Sequence, residues 1–397
     1  MKEYIILLVA LSCVCMEKGK AQKKYLIDGA TGFRVKQAYT LHAGKIIKNH
    51  TLVPPIGTSY FHEYDFDFQT VGQKPWQSLF AYPQCGVSLF YGITGNPDIL
   101  GNFFGAVPSM QFNFGKSNIK WTIRMGTGLA YFFTPYHPED NPKNMMIGSK
   151  INNLSFISTS INYMFKDRAG IFAGISSLHS SNGHYQVPNL GINSVNVHGG
   201  IRLQLLRTNM FKLNNKPVIE KMFRINIRTG VGIHEFARTL KPIGGDKKYI
   251  VFGDVFLSRY LGYLHNFMFG ISVKHYTDYY EFITGNEIYP SNHALKSSVL
   301  TLFLGDELMM GRLGFAFQGG LDVYNPFFKE YDYYKKRNNP EMTFFKYLRT
   351  STSTRIGFQY HFLDPADFTR DDLYIGLFIK AHFGLADFIG LSLGYRL

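Results

Sequence analysis

The sequence predicts an all-β fold, a transmembrane antiparallel β-barrel, and three observations lead there. Aromatic residues make up 16% of the 397 residues and glycines number 39, yet mean hydropathy is only -0.09. Such loading without net hydrophobicity fits alternating strands better than a helical bundle. Beyond residue 21 no apolar run reaches the roughly eighteen residues that a spanning helix needs. Strand-length segments in which apolar and polar residues alternate recur along the whole chain instead.

The elements follow in chain order. Lys2 precedes an apolar run from Tyr4 to Met16 broken only by Ser12, and Gly19, Lys20 and Ala21 supply a cleavage-site pattern before Gln22. Residues 1–21 therefore read as a signal peptide, since an anchor needs about twenty apolar residues. Export follows, and residues 22–397 are expected to form a single β-barrel domain. Cleavage removes Cys13 and Cys15, leaving Cys85 alone. Intrachain disulfides and a multi-cysteine metal site are thereby excluded, and no cofactor or metal is expected.

Alternation is clear at Ile119, Trp121, Ile123, Met125, Leu129 and Tyr131, set against Lys120, Thr122, Arg124, Gly126 and Gly128. From Phe223 the odd positions are Phe223, Ile225, Ile227, Thr229, Val231 and Ile233, and the even ones Arg224, Asn226, Arg228, Gly230, Gly232 and His234. The pattern returns at 267–274, at 313–323 and at 391–397. In a soluble sandwich few glycines and arginines would occupy mid-strand positions. A polar face of Gly, Ser, Asn, Arg and Lys suits a narrow wet lumen, with the apolar face toward lipid.

Segments near 33–42, 59–69, 81–92, 102–115, 119–133, 154–166, 169–181, 192–206, 222–236, 248–260, 266–277, 297–308, 312–324, 347–362, 373–385 and 387–397 read as strands or, in part, as plug. About 12 to 16 strands in one outer-membrane barrel are expected, 14 the best single count, because a bacterial barrel needs an even number. No internal repeat is visible. Long loops are expected over 134–153, 278–295 and 325–342, the last carrying Lys335, Lys336 and Arg337.

Potential chemistry concentrates between His179 and Asn193. A histidine two residues before a serine in a strand puts both side chains on one face of the sheet, so the imidazole can take the hydroxyl proton. Ile171, Ala173, Ile175, Ser177, His179 and Ser181 share a face, and the pair continues the stripe expected to touch lipid. A lone strand-end histidine is usually a surface residue, and Ser-Asn-Gly alone is an ordinary turn. The full spacing with Pro188 and Asn189 carries the weight. His184 and His198 read as structural or substrate-side residues.

His179, Ser180, Ser181, Asn182 and Gly183, followed by Pro188, Asn189 and Gly191, resemble the signature of outer-membrane lipid A deacylases, also called acyloxyacyl hydrolases, over about residues 170–200. A looser likeness runs from 59 to 236, and the extra strands suggest a longer version of that family. The resemblance implies His179 and Ser181 as the working pair, and Asn182 and Asn189 at the oxyanion hole. Where the family pattern has a glutamate orienting the imidazole, this chain has Asn193. An amide oxygen can fix the tautomer but cannot stabilise an imidazolium by charge. Glu235 is the alternative acid.

The resemblance implies a Ser/His lipid A acyl-ester hydrolase remodelling lipopolysaccharide in the outer leaflet of a Gram-negative outer membrane. The competing reading is a catalytically silent channel or structural barrel. The net charge of +14 suits lipopolysaccharide phosphates, and no nucleic-acid module is present. Oligomeric state is not legible.

Overall fold

The computed structural model describes residues 33–48, 50–72, 74–115, 118–165, 168–207, 222–236, 245–327, 351–363, 371–382 and 384–397. The expected signal peptide (1–21) and the Lys335, Lys336, Arg337 cluster lie outside these residues. Among them, no helix is long and apolar enough to cross a membrane.

The strands close into two rings of eight. In the first, β1 (Phe33–Ile46), β2 (Ser59–Gln69), β3 (Gln84–Ile93), β4 (Asn102–Phe114), β5 (Ile119–Phe132), β6 (Ile151–Phe165), β7 (Ala169–Ser181) and β8 (Ile192–Arg207) pair antiparallel in succession. β8 returns to β1 with His198 opposite His42. The second ring runs β9 (Phe223–Glu235), β10 (Lys247–Leu261), β11 (His265–Tyr276), β12 (Ser298–Met310), β13 (Leu313–Tyr324), β14 (Thr352–His361), β15 (Asp372–His382) and β16 (Leu385–Arg396). It closes with Ile389 opposite Ile233.

Every segment marked by alternation overlaps one of these strands. The expected single ring of 12 to 16 strands, with 14 as best count, is corrected to two separate rings. Once β8 has paired with β1, neither strand has an edge left, so β9 must begin a new sheet.

The side-chain division follows the pleat. On β9 Phe223, Ile225, Ile227 and Val231 are exposed, while Asn226, Arg228 and His234 are buried in the lumen. An eight-stranded ring is just wide enough for side chains to fill it. In the first ring Arg124 binds Asp65 and donates to Glu63 Oε1 at 2.7 Å, while Glu63 Oε2 lies 2.7 Å from His42 Nε2. Deeper along the lumen Arg202 donates to Asn162 and Gln111, each at 2.9 Å. In the second, Arg228 and Arg355 converge on Asp254 at 2.6 and 3.1 Å, and Glu307 meets His361 at 2.9 Å. These buried charges persist because the side chains around them pair with them or, at Arg202, accept their hydrogen bonds through neutral amides. A cavity of about 30 Å³ beside Lys274, Thr301, Gln318 and Arg355 has room for water only.

Each ring is stoppered by apolar side chains at one end. Phe61, Phe90, Phe103, Phe132, Met146, Ile147, Leu178 and Ile192 fill the first. In the second, the β11–β12 connection carries α1 (Thr277–Gly285) and α2 (His293–Lys296), and Tyr276, Tyr279, Ile283, Phe327 and Phe388 pack beneath. The rings stand side by side in the same sense. Loop 182–191, at the stoppered end of the first, touches Glu235 and Ile389 at the stoppered end of the second. At the opposite ends Trp76, in the β2–β3 connection, packs on Gly311 in the β12–β13 hairpin.

Candidate active site

β7 carries Ile171, Ala173 and Ile175 exposed on its outer face, with Phe172, Ser176 and Leu178 turned inward. His179 and Ser181 continue the outer row, the placement the sequence pattern suggested. Register then supplies the third member, because His179 is directly opposite Asn193 on β8. Two outward side chains in such a cross-strand pair are neighbours. His179 Nδ1 lies 2.8 Å from Asn193 Oδ1, and His179 Nε2 lies 2.9 Å from Ser181 Oγ.

The amide oxygen can only accept, so Nδ1 carries the proton and donates it to Asn193. Nε2 is left with its lone pair toward the Ser181 hydroxyl, which donates to it. That is the tautomer a general base needs.

The loop after Ser181 folds back beside the pair. Asn182 Nδ2 donates to Gln186 C=O at 2.7 Å and to Ser149 Oγ at 3.1 Å, while its Oδ1 accepts His184 N–H at 3.1 Å. Its side chain is therefore spent on building the turn. Its own backbone N–H donates to Asn189 Oδ1 at 3.2 Å. This bond fixes which end of the Asn189 amide is oxygen, leaving the NH₂ as the group Asn189 has to offer. Gly191 adopts φ +72°, and a Cβ there would fall 3.0 Å from Ser180 C=O and 3.5 Å from His179 Cε1. Glycine is needed to bring the chain back that close.

Loop 133–150 clasps this segment from the other side. Leu190 and Gly191 N–H donate to Met145 and Met146 C=O at 3.2 and 2.9 Å. Asn144 Oδ1 accepts Ile147 N–H at 3.1 Å, and Asn141 Nδ2 donates to Ile99 C=O at 2.8 Å. The two loops form one lid over the apolar stopper.

The structure thus brings His179, Ser181 and Asn193 into one hydrogen-bonded row, with Asn182 and Asn189 in the adjoining turn. Glu235 lies elsewhere: its carboxylate accepts Val187 N–H at 2.9 Å and Gly245 N–H at 2.8 Å, and Asn193 holds the position beside the imidazole. His198 faces the first lumen, its ring 5.1 Å from that of His42, and His184 sits 6.3 Å from the His234 ring at the junction of the rings.

Sequence reasoning missed a polar floor on the outer face of β5 and β6. Ser155 is opposite His179 and Asn153 is opposite Ser181. Thr127, Asn153 and Ser155 bond one another at 2.7 to 2.8 Å. Their signal was three polar residues at positions where alternation calls for apolar ones.

Residues 62–202 match the model of the lipid A 3-O-deacylase family, PagL. The match spans β2 to β8 and contains the whole hydrogen-bonded row, so the resemblance read from the sequence holds over residues 62–202. Among solved structures, the chain is similar to the outer membrane enzyme PagL at 18% identity, covering 42% of this chain and 99% of that one, with a TM-score of 0.32. It is similar to Neisserial surface protein A at 12% identity, covering 43% and 96%, with a TM-score of 0.31. CdiB from Acinetobacter baumannii follows at 7% identity, covering 92% and 60%, with a TM-score of 0.19. No curated protein matches the chain.

Proposed function

We propose that the first ring is a lipid A acyl-ester hydrolase working in the outer leaflet of a Gram-negative outer membrane. The observation that carries this is the row Asn193, His179, Ser181 on the outer wall, 2.8 and 2.9 Å apart, within the segment that matches the deacylase family. Exposed Ile171, Ile175, Val195 and Val197 on the same wall suit hydrocarbon. A lipid reaches this row without leaving the bilayer. Loops 47–58, 133–150 and 182–191 gather at the same end, as on the external side of an outer-membrane barrel, while the 70–83 connection lies at the other.

In the reaction, His179 Nε2 takes the Ser181 proton while Oγ attacks the acyl carbonyl. The tetrahedral oxyanion meets the Asn189 amide N–H groups and peptide N–H groups of the turn. Collapse breaks the ester C–O bond, and the sugar oxygen leaves with the proton from His179. Water, deprotonated by the same imidazole, then releases the fatty acid and restores Ser181. The ester at the 3-position is the expected target, after the name of the matched family. Asn193 holds the tautomer without lending charge to the imidazolium, so turnover is expected to be slower than with a carboxylate there.

The test is Ser181→Ala, with lipid A acyl chains followed by mass spectrometry. The expected result is loss of deacylation on the order of 10⁶-fold, as for nucleophile removal in other serine hydrolases. An unchanged acyl pattern overturns the hydrolase reading. One observation favours a silent structural barrel, the amide at Asn193. The channel version of that reading is opposed by lumens filled with paired side chains.

A further inference from the structure

We propose that the second ring braces the loop that completes the first ring's active site, with Glu235 as the positioning residue. The proposal rests on the hydrolase reading and adds the element that sets the geometry of its oxyanion side.

Glu235 ends β9 on the outward parity of Phe223, Ile227 and Val231, yet it is only 1% exposed. A carboxylate at that place on a barrel wall needs cover, and the cover is loop 182–191 of the other ring. Glu235 Oε2 accepts Val187 N–H at 2.9 Å, and Glu235 N–H donates to His184 C=O at 3.1 Å. Lys247, 3.5 Å from the same carboxylate, donates to Tyr185 C=O at 2.6 Å and lies 4.4 Å from the centre of the Tyr185 ring. Gly183 rests so closely on the wall that a Cβ there would fall 2.4 Å from Ile389 Cγ2.

The peptides of residues 184, 185 and 187 are therefore gripped from the second ring. They form the stretch between Ser181 and Asn189, the residue whose amide holds the turn beside the nucleophile. Charge-assisted hydrogen bonds of this kind are stronger than neutral ones and fix direction as well as distance. Loosening the grip shifts Asn189 relative to Ser181 while leaving the His179–Asn193 pair, which belongs to the β7–β8 ladder, in place. A displacement near 1 Å costs about a hundredfold in rate. Ground-state binding of the acyl chains on the outer wall is untouched.

The experiment uses the full chain in phospholipid vesicles with purified lipid A, comparing wild type, Glu235→Ala, Glu235→Gln, Lys247→Met and Ser181→Ala. For Glu235→Ala, kcat is expected to fall about tenfold to a hundredfold, with KM within about twofold and the pH profile unmoved. Glu235→Gln keeps a carbonyl oxygen for Val187 N–H and is expected to recover most of that loss. A Glu235→Ala enzyme with kcat within about twofold of wild type overturns the brace, as does a Glu235→Gln enzyme as impaired as Glu235→Ala. Should Glu235→Ala fail to give a folded, heat-modifiable barrel, Lys247→Met decides: about a threefold to tenfold loss of kcat supports the brace, and none overturns it. If Ser181→Ala retains activity, the hydrolase reading itself has failed. If Ser181→Ala is inactive while the Glu235 and Lys247 variants match wild type, only the brace has failed.

Discussion

The two rings share an architecture and differ on one strip of outer wall. Both have eight antiparallel strands, a lumen of buried ion pairs and an aromatic stopper at one end. On β15 and β16 the outer row is Leu373, Ile375, Leu377, Leu391, Leu393 and Tyr395, all exposed and apolar but for one hydroxyl. On β6, β7 and β8 the row is broken by Asn153, Ser155, His179, Ser181 and Asn193. The comparison teaches that one barrel wall can carry a polar hydrogen-bonded row at a few positions where its neighbour stays apolar, the place where the proposed chemistry would be grafted.

The sharpest way to break the comparison is to remove the imidazole. His179→Ala is expected to reduce lipid A deacylation on the order of 10⁶-fold, whereas Leu391→Ala on the other wall leaves it within about twofold. Fatty-acid release from vesicles measures both, and equal effects would erase the functional distinction.

Next in size is the shared feature, the charged lumen. Arg124→Ala leaves Glu63 and Asp65 without their guanidinium, and Asp254→Ala leaves Arg228 and Arg355 without their carboxylate. Each is expected to cost about 3–5 kcal/mol in urea unfolding from vesicles, since a buried charge is left uncompensated. A loss in only one ring would show that the two interiors are not equivalent.

The outer walls separate again under an added charge. Leu391→Arg, in the middle of β16, is expected to cost about 2–4 kcal/mol, whereas Asn153→Arg, near the start of β6 beside Thr127 and Ser155, costs about 0–1 kcal/mol. The same unfolding measurement reads both. The smallest effect sharpens the chemistry: Asn193→Asp or Asn193→Glu is expected to raise kcat about tenfold, because a carboxylate stabilises the imidazolium that an amide only orients. A fall with both variants would show that the amide fits this site better than a charge.

Strand positions were legible because a half-lipid, half-lumen wall enforces a period of two, seen plainly at 119–131 and 223–234. Ring size was not. Closure depends on β8 meeting β1 and β16 meeting β9, pairings between residues such as His42 and His198 that leave no local trace. The hydrogen-bonded row was legible for a related reason: residues two apart share a face, and Asn193 falls opposite His179 across one turn. The Glu235 contact with Val187 joins positions 48 apart on different sheets, and only the fold brings them together.

An even number of strands has a topological consequence. β1 starts and β8 finishes at the same rim of the first ring, and β9 starts and β16 finishes at the neighbouring rim of the second. A closed unit with that parity returns the polypeptide to the compartment it came from. Another unit can therefore be added in tandem without inverting its neighbour, and each keeps its loops on the side where its partner's loops already stand.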